Sequence, residues 1–374
     1  MSERVLVFHP TIAPYRVDLF NELYDRLGAK ICLYYRNLKS QKFDYEKIER
    51  RLHFVPDYLE KNVRIGRREF YIGHIRRMRE YRPDTVIAGE YGPGLWCGVL
   101  YKSLFDKRCR LITICDDSEE VAAGCRGIRK LSRNAVMKHL DGIILCSRGA
   151  EGYYERTFGI STYVFPIIPS CKSYYSDRDE AVRIAEGYID GYGLEGRRLF
   201  LFVGRLSQEK NIEYLISSFA KAHDEHEENV LFIIGSDGGS GYEKGLKEKV
   251  RDLQADGYIR FMGRSEDTEL RAWMYLGQCL VLPSRVERFG AVVAEALLSG
   301  EYAMVSDRAG AYELIDTYGD DRNGEVIDID REYIDFSAIS DRTGTIGAGW
   351  EPHESRLRED FEALTDGLVS WMKG

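Results

Sequence analysis

Short apolar runs alternate with amphipathic stretches along this chain, and the alternation predicts β-strands and α-helices in turn. In the first half, apolar runs predict strands at residues 5–9, 30–35, 84–90, 110–117, 142–147 and 162–166. Between them, apolar residues at helical spacing predict helices at residues 15–27, 95–105, 128–139 and 150–158. This order is typical of a parallel sheet that is covered by helices on both sides.

A polar segment with two prolines follows this half, and the same alternation then starts again. The predicted strands lie at residues 199–205, 230–236, 258–264, 278–282, 302–307 and 324–328, and the helices at 211–222, 244–254, 267–276 and 356–372. Residues 36–62 and 328–350 carry no pattern from which an element can be predicted.

The length of 374 residues is enough for two domains that each bury a core. We therefore predict an α/β fold with two doubly wound, Rossmann-like domains that face each other across a cleft. The predicted parts are a first domain at 1–168, a linker and helix at 169–195, a second domain at 196–350 and a C-terminal helix at 351–374.

The most informative candidate chemistry lies in residues 283–300. This stretch follows a predicted buried strand, and Phe289 and Gly290 are expected to open the next helix. Ligands of parallel sheets bind beyond the carboxyl ends of the strands, so the turn is expected to line the binding crevice. The free N–H groups of a helix start favour an anion, commonly a phosphate. Glu287 and Glu295 would then place one carboxylate near the reacting end of a ligand and another further along it.

The same stretch resembles the E-x7-E signature of the retaining, family-4 glycosyltransferases, which use nucleotide sugars. The matching residues are Pro283, Ser284, Glu287, Phe289, Gly290, Val293, Glu295, Ala296 and Gly300. The resemblance implies the double-Rossmann architecture called GT-B, with a C-terminal helix that crosses back to the first domain. It also implies that Glu287 is catalytic, holding the transferred sugar and stabilising charge at its anomeric carbon, while Glu295 binds the donor ribose. The N–H groups implied to lie beside the donor diphosphate are those of Phe289, Gly290, Ala291 and Val292.

A second group of residues follows the predicted strand at 199–205 with the spacing G-R-x4-K. Two cations at this point would stabilise the charge of a departing diphosphate. The spacing resembles the donor-phosphate site of the same class, which implies diphosphate contacts for Gly204, Arg205 and Lys210. By the same resemblance, residues 235–242 form a second donor-side loop, and Gly263 and Arg264 border the nucleotide base.

The first half resembles the class only in short segments, and it departs from it in its candidate site. Relatives often carry a histidine at the end of a first-domain strand, whereas this chain has Asp116 and Asp117 there. We expect one of these acids to take its place, with Asp117 as the catalytic candidate and Asp116 as a candidate for sugar or acceptor contact. The other candidates for contact with acceptor or sugar are His9, Tyr15 and Arg16.

The net charge of −8 conceals a division between the two halves. Residues 1–172 have 30 Lys and Arg against 21 Asp and Glu, and the remainder has 23 against 40. The basic surplus is densest in residues 64–82, which we predict to form a basic amphipathic helix able to rest on anionic lipid. A solvated helix with an arginine-rich outer face is the alternative. These features favour a glycan or lipid-linked acceptor and a place at the inner face of a membrane; nucleic acid is not expected as a partner.

Composition supports a cytoplasmic protein. The eight cysteines are scattered without a C-x-x-C pair, as reduced core thiols are. The first ten residues already show a strand pattern, so no signal peptide is predicted. No cofactor and no metal site is expected, and UDP is the preferred guess for the donor nucleotide.

Other functions stay open at this point. A nucleotide-sugar epimerase or a phosphorylase could use the same double fold. An NAD(P)-dependent oxidoreductase would depend on residues 92–98, a near match to a dinucleotide-binding loop in which Pro93 is out of place. A membrane-surface binding module without catalysis is the non-enzymatic alternative.

Overall fold

The computed structural model describes residues 3–34, 43–59, 61–65, 68–317, 322–340 and 342–374. The chain divides into two compact units. Unit 1 comprises Met1–Ile167 together with Asp360–Gly374, and unit 2 comprises Ile168–Glu359.

Unit 1 is built on a sheet that, in the described part of the chain, has seven parallel strands. In chain order the strands of unit 1 are β1 (Val5–His9), β2 (Lys30–Leu33), β3 (Asp57–Tyr58), β4 (Lys61–Ile65), β5 (Arg68–Ile72), β6 (Thr85–Gly89), β7 (Arg110–Cys115), β8 (Gly142–Leu145) and β9 (Thr162–Val164). The sheet has the order β3-β2-β1-β6-β7-β8-β9, while β4 and β5 pair separately. The central strands are buried on both faces, which explains their continuous apolar sequences.

Helices cover this sheet on both sides, as the alternation predicts. They are α1 (Val17–Leu27), α2 (Tyr45–Arg51), α3 (His74–Tyr81), α4 (Pro93–Leu104), α5 (Glu119–Ala123), α6 (Gly127–Met137) and α7 (Arg148–Phe158). Helix α2 lies within residues 36–62, where no element is predicted from the sequence pattern. Its N-cap is Asp44, whose carboxylate accepts a hydrogen bond from the N–H of Lys47.

The predicted basic helix at residues 64–82 is wrong. Strands β4 and β5 form an antiparallel pair there, and only His74–Tyr81 is helical. The run Phe70, Tyr71, Ile72 favours extended backbone, and Gly73, with a φ of +119°, separates it from the helix. Arg67, one of the predicted basic residues, lies outside the described residues.

Unit 2 is built on a second parallel sheet, with six strands in the described residues. They are β10 (Arg198–Val203), β11 (Asn229–Ile234), β12 (Ile259–Gly263), β13 (Cys279–Leu282), β14 (Tyr302–Ser306) and β15 (Gly324–Ile327), in the order β12-β11-β10-β13-β14-β15. The helices are α8 (Cys171–Tyr174), α9 (Arg178–Tyr192), α10 (Ile212–His223), α11 (Tyr242–Asp252), α12 (Asp267–Leu276), α13 (Val292–Leu298) and α14 (Ser337–Ser340).

The segment at 169–195 packs as part of unit 2. Helix α9 lies on α12, where Tyr188 stacks on Trp273 with 4.1 Å between the ring centroids. Just before α9, the Asp177 carboxylate accepts a 2.6 Å hydrogen bond from the Arg271 guanidinium. These contacts fix α9 against the body of the second unit.

The last helix, α15 (Phe361–Lys373), returns the chain to unit 1. Arg26 of α1 contacts Glu362 at 2.6 Å, and the indole N–H of Trp371 donates to the hydroxyl of Ser161 at 3.1 Å. The prediction of an α/β fold with two parallel, helix-covered sheets is confirmed.

Candidate functional site

The sheet of unit 2 has one point at which its strand order reverses. Strands β10 and β13 are neighbours, while their successors β11 and β14 lie on opposite sides of them. The loops after β10 and β13 therefore diverge and leave a crevice at the carboxyl edge of the sheet, where doubly wound folds bind ligands. Both motifs singled out from the sequence follow these two strands.

At the start of the loop after β10, the backbone of Gly204 lies close to the backbone of Gly235, which follows β11. The N–H of Gly204 donates to the carbonyl of Ile234 at 3.0 Å, and a Cβ on the next residue, Gly235, would overlap the carbonyl oxygen of Gly204. Gly235 has a φ of +153°, which disfavours a side chain as well. Arg205 follows with its side chain 75% exposed, so its guanidinium is accessible at the crevice.

A short 3₁₀ turn, Gln208–Lys210, carries the second predicted cation. The ammonium group of Lys210 contacts the carboxylate of Glu287, and the two side chains are only 13% and 16% exposed. The loops are tied further because the N–H of Arg285 donates to the carbonyl of Glu209 at 2.8 Å. The structure therefore brings together two residues that are far apart in the sequence and that were predicted for one site.

The turn before α13 is held by its own side chains. Phe289 is 2% exposed and anchors the turn in the core, while Gly290, with a φ of +98°, leaves room for Leu282, whose Cδ2 would lie 2.7 Å from an added Cβ. The helix begins at Val292 after Ala291, two to three residues later than predicted. The N–H groups of Val293 and Ala294 donate to the carbonyls of Gly290 and Ala291 at 3.0 and 3.1 Å. The N–H groups that can meet an anion are therefore those that precede them in the turn, since the first N–H groups of a helix have no acceptor within it.

Glu295 lies in the first turn of α13 and is partly buried. Its main-chain carbonyl accepts a 2.9 Å hydrogen bond from the hydroxyl of Tyr174, which fixes this turn against α8. Burial, and then the charge of Glu295, raise the pKa of Tyr174 well above its ordinary value, so the phenol is a donor at neutral pH. Glu287 and Glu295 thus flank the same turn.

Gly263 and Arg264 lie at the carboxyl end of β12, two strands from β10. The carbonyl of Gly263 accepts from the N–H of Gly235 at 2.7 Å, which connects this loop to the close approach after β10. The guanidinium of Arg264 contacts the carboxylate of Glu266, and both side chains are exposed. All the predicted donor residues therefore lie along one edge of the unit 2 sheet.

Unit 1 has its own order reversal, between β1 and β6, and His9 ends the first of these strands. The Nδ1 of His9 lies 2.6 Å from the carbonyl oxygen of Thr11 and must donate to it, which leaves Nε2 as an acceptor. Burial lowers the pKa of His9, so the ring is neutral at neutral pH. Gly89 ends β6, the strand beside β1, and a Cβ added to it would lie 3.1 Å from the His9 ring. The absence of a side chain at this position leaves room for the histidine.

The other first-domain candidates lie near this histidine. The guanidinium of Arg16 is almost fully buried and contacts the carboxylate of Asp116. The charge of Asp116 raises the pKa of His9 and the charge of Arg16 lowers it. The charge of Glu90 also raises it. Tyr15 is the exposed member of the group. The structure thus gathers His9, Arg16 and Asp116 into one cluster.

Asp117 is placed differently from its neighbour. It is 0% exposed, and both of its carboxylate oxygens accept from one nitrogen of Arg129, at 2.8 and 2.7 Å. The same nitrogen lies 3.3 Å from a carboxylate oxygen of Glu90. The buried carboxylate of Asp117 is therefore bound to an arginine of α6 rather than presented to a ligand.

Sequence reasoning missed Arg129 and the conformation of Glu90. Glu90 has a φ of +46°, which is uncommon for a residue with a side chain. Its carbonyl accepts from the Thr113 hydroxyl at 2.8 Å, and its N–H donates to the carbonyl of Ile114 at 2.8 Å, so β7 holds it in place. The position of Glu90 at the end of the strand predicted at residues 84–90 was a usable signal, whereas nothing near Arg129 indicates its partner.

The near match to a dinucleotide-binding loop forms the start of α4. An added Cβ on Gly98 would lie 2.5 Å from the Leu111 side chain, and one on Gly94 would overlap the hydroxyl of Tyr34. These glycines therefore serve close packing against core side chains, and not the approach of a ligand.

No three His, Cys, Asp or Glu side chains in the described ranges are grouped so that they could hold a metal ion. No helix within those ranges has both the length and the apolar character needed to cross a bilayer.

The two helix-covered parallel sheets define the class of fold, which is that of the GT-B glycosyltransferases. The crystal structure of Anabaena Alr3699/HepE in complex with UDP is similar over 99% of both chains, with a TM-score of 0.74 and 15% sequence identity. At the level of the sequence, residues 189–338 match the family "Glycosyl transferases group 1". The sequence similarity to this family thus lies within unit 2.

Curated relatives agree with this family. The α-D-kanosaminyltransferase of Streptomyces kanamyceticus is 26% identical over 184 residues, which are 49% of this chain and 47% of that protein. The glycogen synthase of Flavobacterium johnsoniae is 34% identical over 127 residues, 34% of this chain and 26% of that protein. The chain thus spans about half the length of the first of these relatives, and less of the second.

Proposed function

We propose that this protein transfers a sugar from a nucleotide diphosphate donor to a hydroxyl group of an acceptor. The observation that carries the proposal is the contact between Lys210 and Glu287 at the order reversal of the unit 2 sheet. A cation for the leaving diphosphate and a carboxylate for the reacting sugar meet there, in a domain of the group 1 glycosyltransferase family.

The donor lies along the carboxyl edge of unit 2. Its diphosphate binds Arg205, Lys210 and the N–H groups of the turn before α13, since cations and helix starts stabilise phosphate charge. Glu295 accepts from the ribose hydroxyls, and the loop of Gly263 and Arg264 borders the base. UDP is the preferred nucleotide, because HepE was solved with UDP and a relative from Streptococcus gordonii is named for UDP-N-acetylglucosamine transfer. Since protein cations and N–H groups meet the phosphate charge, the reaction needs no metal.

Lys210 and Glu287 change partners when the donor binds. The diphosphate is the stronger partner for the ammonium group, because it carries more than one negative charge. Glu287 is then free to hold the transferred sugar and to stabilise positive charge at its anomeric carbon. The leaving phosphate oxygen takes the proton of the acceptor hydroxyl, and the new bond keeps the anomeric configuration.

The acceptor binds unit 1 at the cluster of His9, Arg16 and Asp116, with Tyr15 at its exposed side. The unprotonated Nε2 of His9 can accept a hydrogen bond from an acceptor hydroxyl, because Nδ1 carries the proton. Asp117 acts through Arg129 as a positioning residue, since its own oxygens are occupied. A glycan or lipid-linked acceptor, in cell-surface polysaccharide or glycolipid biosynthesis at the inner membrane face, fits the basic surplus of this half of the chain.

The test has two arms. Thermal shift with UDP, GDP, dTDP and ADP identifies the nucleotide, because a ligand that binds only the native state raises the melting temperature. With the matching donor sugar, Glu287→Ala should lower the transfer rate at least about a hundredfold, as expected for the loss of one transition-state electrostatic partner. Glu332→Ala, an exposed acid of the same unit, is the matched control and should leave the rate unchanged.

Product analysis separates the alternatives. An epimerase releases an isomer or a free sugar without acceptor, a phosphorylase requires inorganic phosphate, and an oxidoreductase consumes NADH. Any of these outcomes, or full transfer by Glu287→Ala, would overturn the proposal. The family match and the transferases among the relatives do not favour these alternatives.

A further inference from the structure

Two neighbouring helices of unit 1 present large apolar side chains to solvent. On α4, Trp96, Leu100 and Leu104 recur every fourth residue and are 39%, 48% and 66% exposed. On α6, Ile128 and Leu131 are 73% and 71% exposed. The indole N–H of Trp96 donates at 2.8 Å to the hydroxyl of Ser132, the residue after Leu131 on α6, so the two rows meet at this point. With Phe105, which is 50% exposed, they form what we call the α4–α6 patch.

A patch of this kind marks a site of interaction. Single exposed apolar residues are ordinary, but soluble proteins rarely leave a contiguous set of large ones in water without a function. The opposite sides of both helices are buried in the core, through Leu95 and Val99 on α4 and Val136 on α6. The core of unit 1 is therefore packed by the other sides of these helices and does not require the exposed rows.

The charged residues within the two helices are all basic. Neither α4 nor α6 contains an aspartate or glutamate. A groove of about 420 Å³ adjoins the end of α4 and the segment after α6, and its lining includes Lys107, Lys138 and His139. Lys102 of the same groove is paired with Asp141, whereas within the described ranges Lys107 and Lys138 have no acidic partner. The patch thus has a cationic groove beside it.

We infer that the α4–α6 patch docks on a membrane surface that contains anionic phospholipid. The apolar rows enter the boundary between head groups and acyl chains, and Lys107 and Lys138 meet the lipid phosphates. A second copy of this chain fits less well, because a two-fold contact through the patch would bring two sets of lysines together.

This surface replaces the one predicted from the sequence. The arginines of α3 are partly neutralised, since Arg76 contacts Glu80 and Arg77 contacts Asp57, each at 2.7 Å. The inference does not rest on the proposed glycosyl transfer, because docking requires neither donor nor acceptor.

The test is cosedimentation of the full chain with vesicles, without donor or acceptor. Vesicles of phosphatidylcholine with phosphatidylglycerol should bind the protein, and vesicles of phosphatidylcholine alone should bind it much less. Leu104→Ser with Leu131→Ser should weaken binding about tenfold, because two large apolar groups no longer enter the bilayer. Lys107→Glu with Lys138→Glu should weaken it by at least about fivefold per charge.

The matched control is Leu253→Ser with Lys244→Glu, which changes an exposed leucine and an exposed lysine of unit 2 and should leave binding unchanged. Vesicle binding that survives both patch variants, or the absence of binding by the unmodified chain, overturns the inference. Self-association of the unmodified chain in light scattering would also overturn the inference if the leucine variant abolished it, since the patch would then join two copies of the chain. The melting-temperature shift with UDP should be the same in all variants, which separates loss of docking from loss of the donor site.

Discussion

Replacing Arg129 with methionine should strongly destabilise unit 1. The methionine keeps much of the apolar length of the side chain but removes the donors that serve both oxygens of Asp117. Because Asp117 is 0% exposed, its carboxylate is then buried without its arginine. Removing one partner of a buried ion pair costs about 3–5 kcal/mol. Adding Asp117→Asn to the variant should recover part of the loss, since it removes the uncompensated charge.

Glu90 supplies a matched control on the same arginine. Its carboxylate lies 3.3 Å from the same nitrogen of Arg129, but its side chain is 38% exposed. Exposed ion pairs contribute about 0–1 kcal/mol. Glu90→Gln should therefore cost about 1 kcal/mol or less, although it also removes a charge beside Arg129.

Hydrogen exchange is the suitable assay, because it reports on each unit by itself, whereas a chain of two compact units is not expected to unfold in one two-state transition. A loss of 3–5 kcal/mol corresponds to a fall in amide protection of about two to four orders of magnitude in β7 and β8. Peptides from β10 and β11 of unit 2 should be unchanged and serve as the internal reference. A fall of less than about fivefold, or an equal effect of Glu90→Gln, would refute the structural role of the Asp117–Arg129 pair.

Two further predictions concern unit 2. Both carboxyl oxygens of Glu301 are buried without a hydrogen-bond partner in the described part of the chain, and burial raises its pKa well above 4.5. The native state keeps a proton that the unfolded chain releases, so stability should fall as the pH rises above 4.5. Glu301→Gln should reduce the pH dependence of the stability, measured by urea titrations that are followed through Trp273. An unchanged pH dependence would contradict the buried, protonated state of Glu301. Gly235→Ala should cost at least about 1–3 kcal/mol by overpacking against Gly204 and weaken UDP binding in calorimetry. Gly257→Ala, which meets open space, is the control, and equal effects of the two substitutions would contradict the close approach.

The sheets could be predicted because their strands are buried on both faces, which requires continuous apolar runs such as those of β10 and β13. The donor residues could be predicted because they follow those runs at motif spacing, and the carboxyl ends of parallel strands share one edge. The contact between Lys210 and Glu287 is a consequence of that shared edge.

Other features required the tertiary structure. The β4–β5 pair was missed because arginines at helical spacing hid the extended preference of Phe70 to Ile72. The pairing of Asp117 with Arg129 joins the end of a strand to a helix that lies beyond α5, and no local pattern indicates it. The exposed row of α4 was hidden because this helix carries apolar residues on its buried and its exposed sides alike, so periodicity could not show which side faces the core.

The central claim is that the order reversal of the unit 2 sheet binds a nucleoside diphosphate through Lys210. Calorimetric titration with UDP of the unmodified chain and of Lys210→Met tests it most directly, with Lys244→Met, an exposed lysine of α11, as the matched control. Loss of a charged hydrogen bond of about 1.5–3 kcal/mol predicts a Kd at least about tenfold higher for Lys210→Met and an unchanged Kd for the control. Equal affinity of all three proteins, or no binding of UDP, GDP, dTDP or ADP to the unmodified chain, would contradict the account.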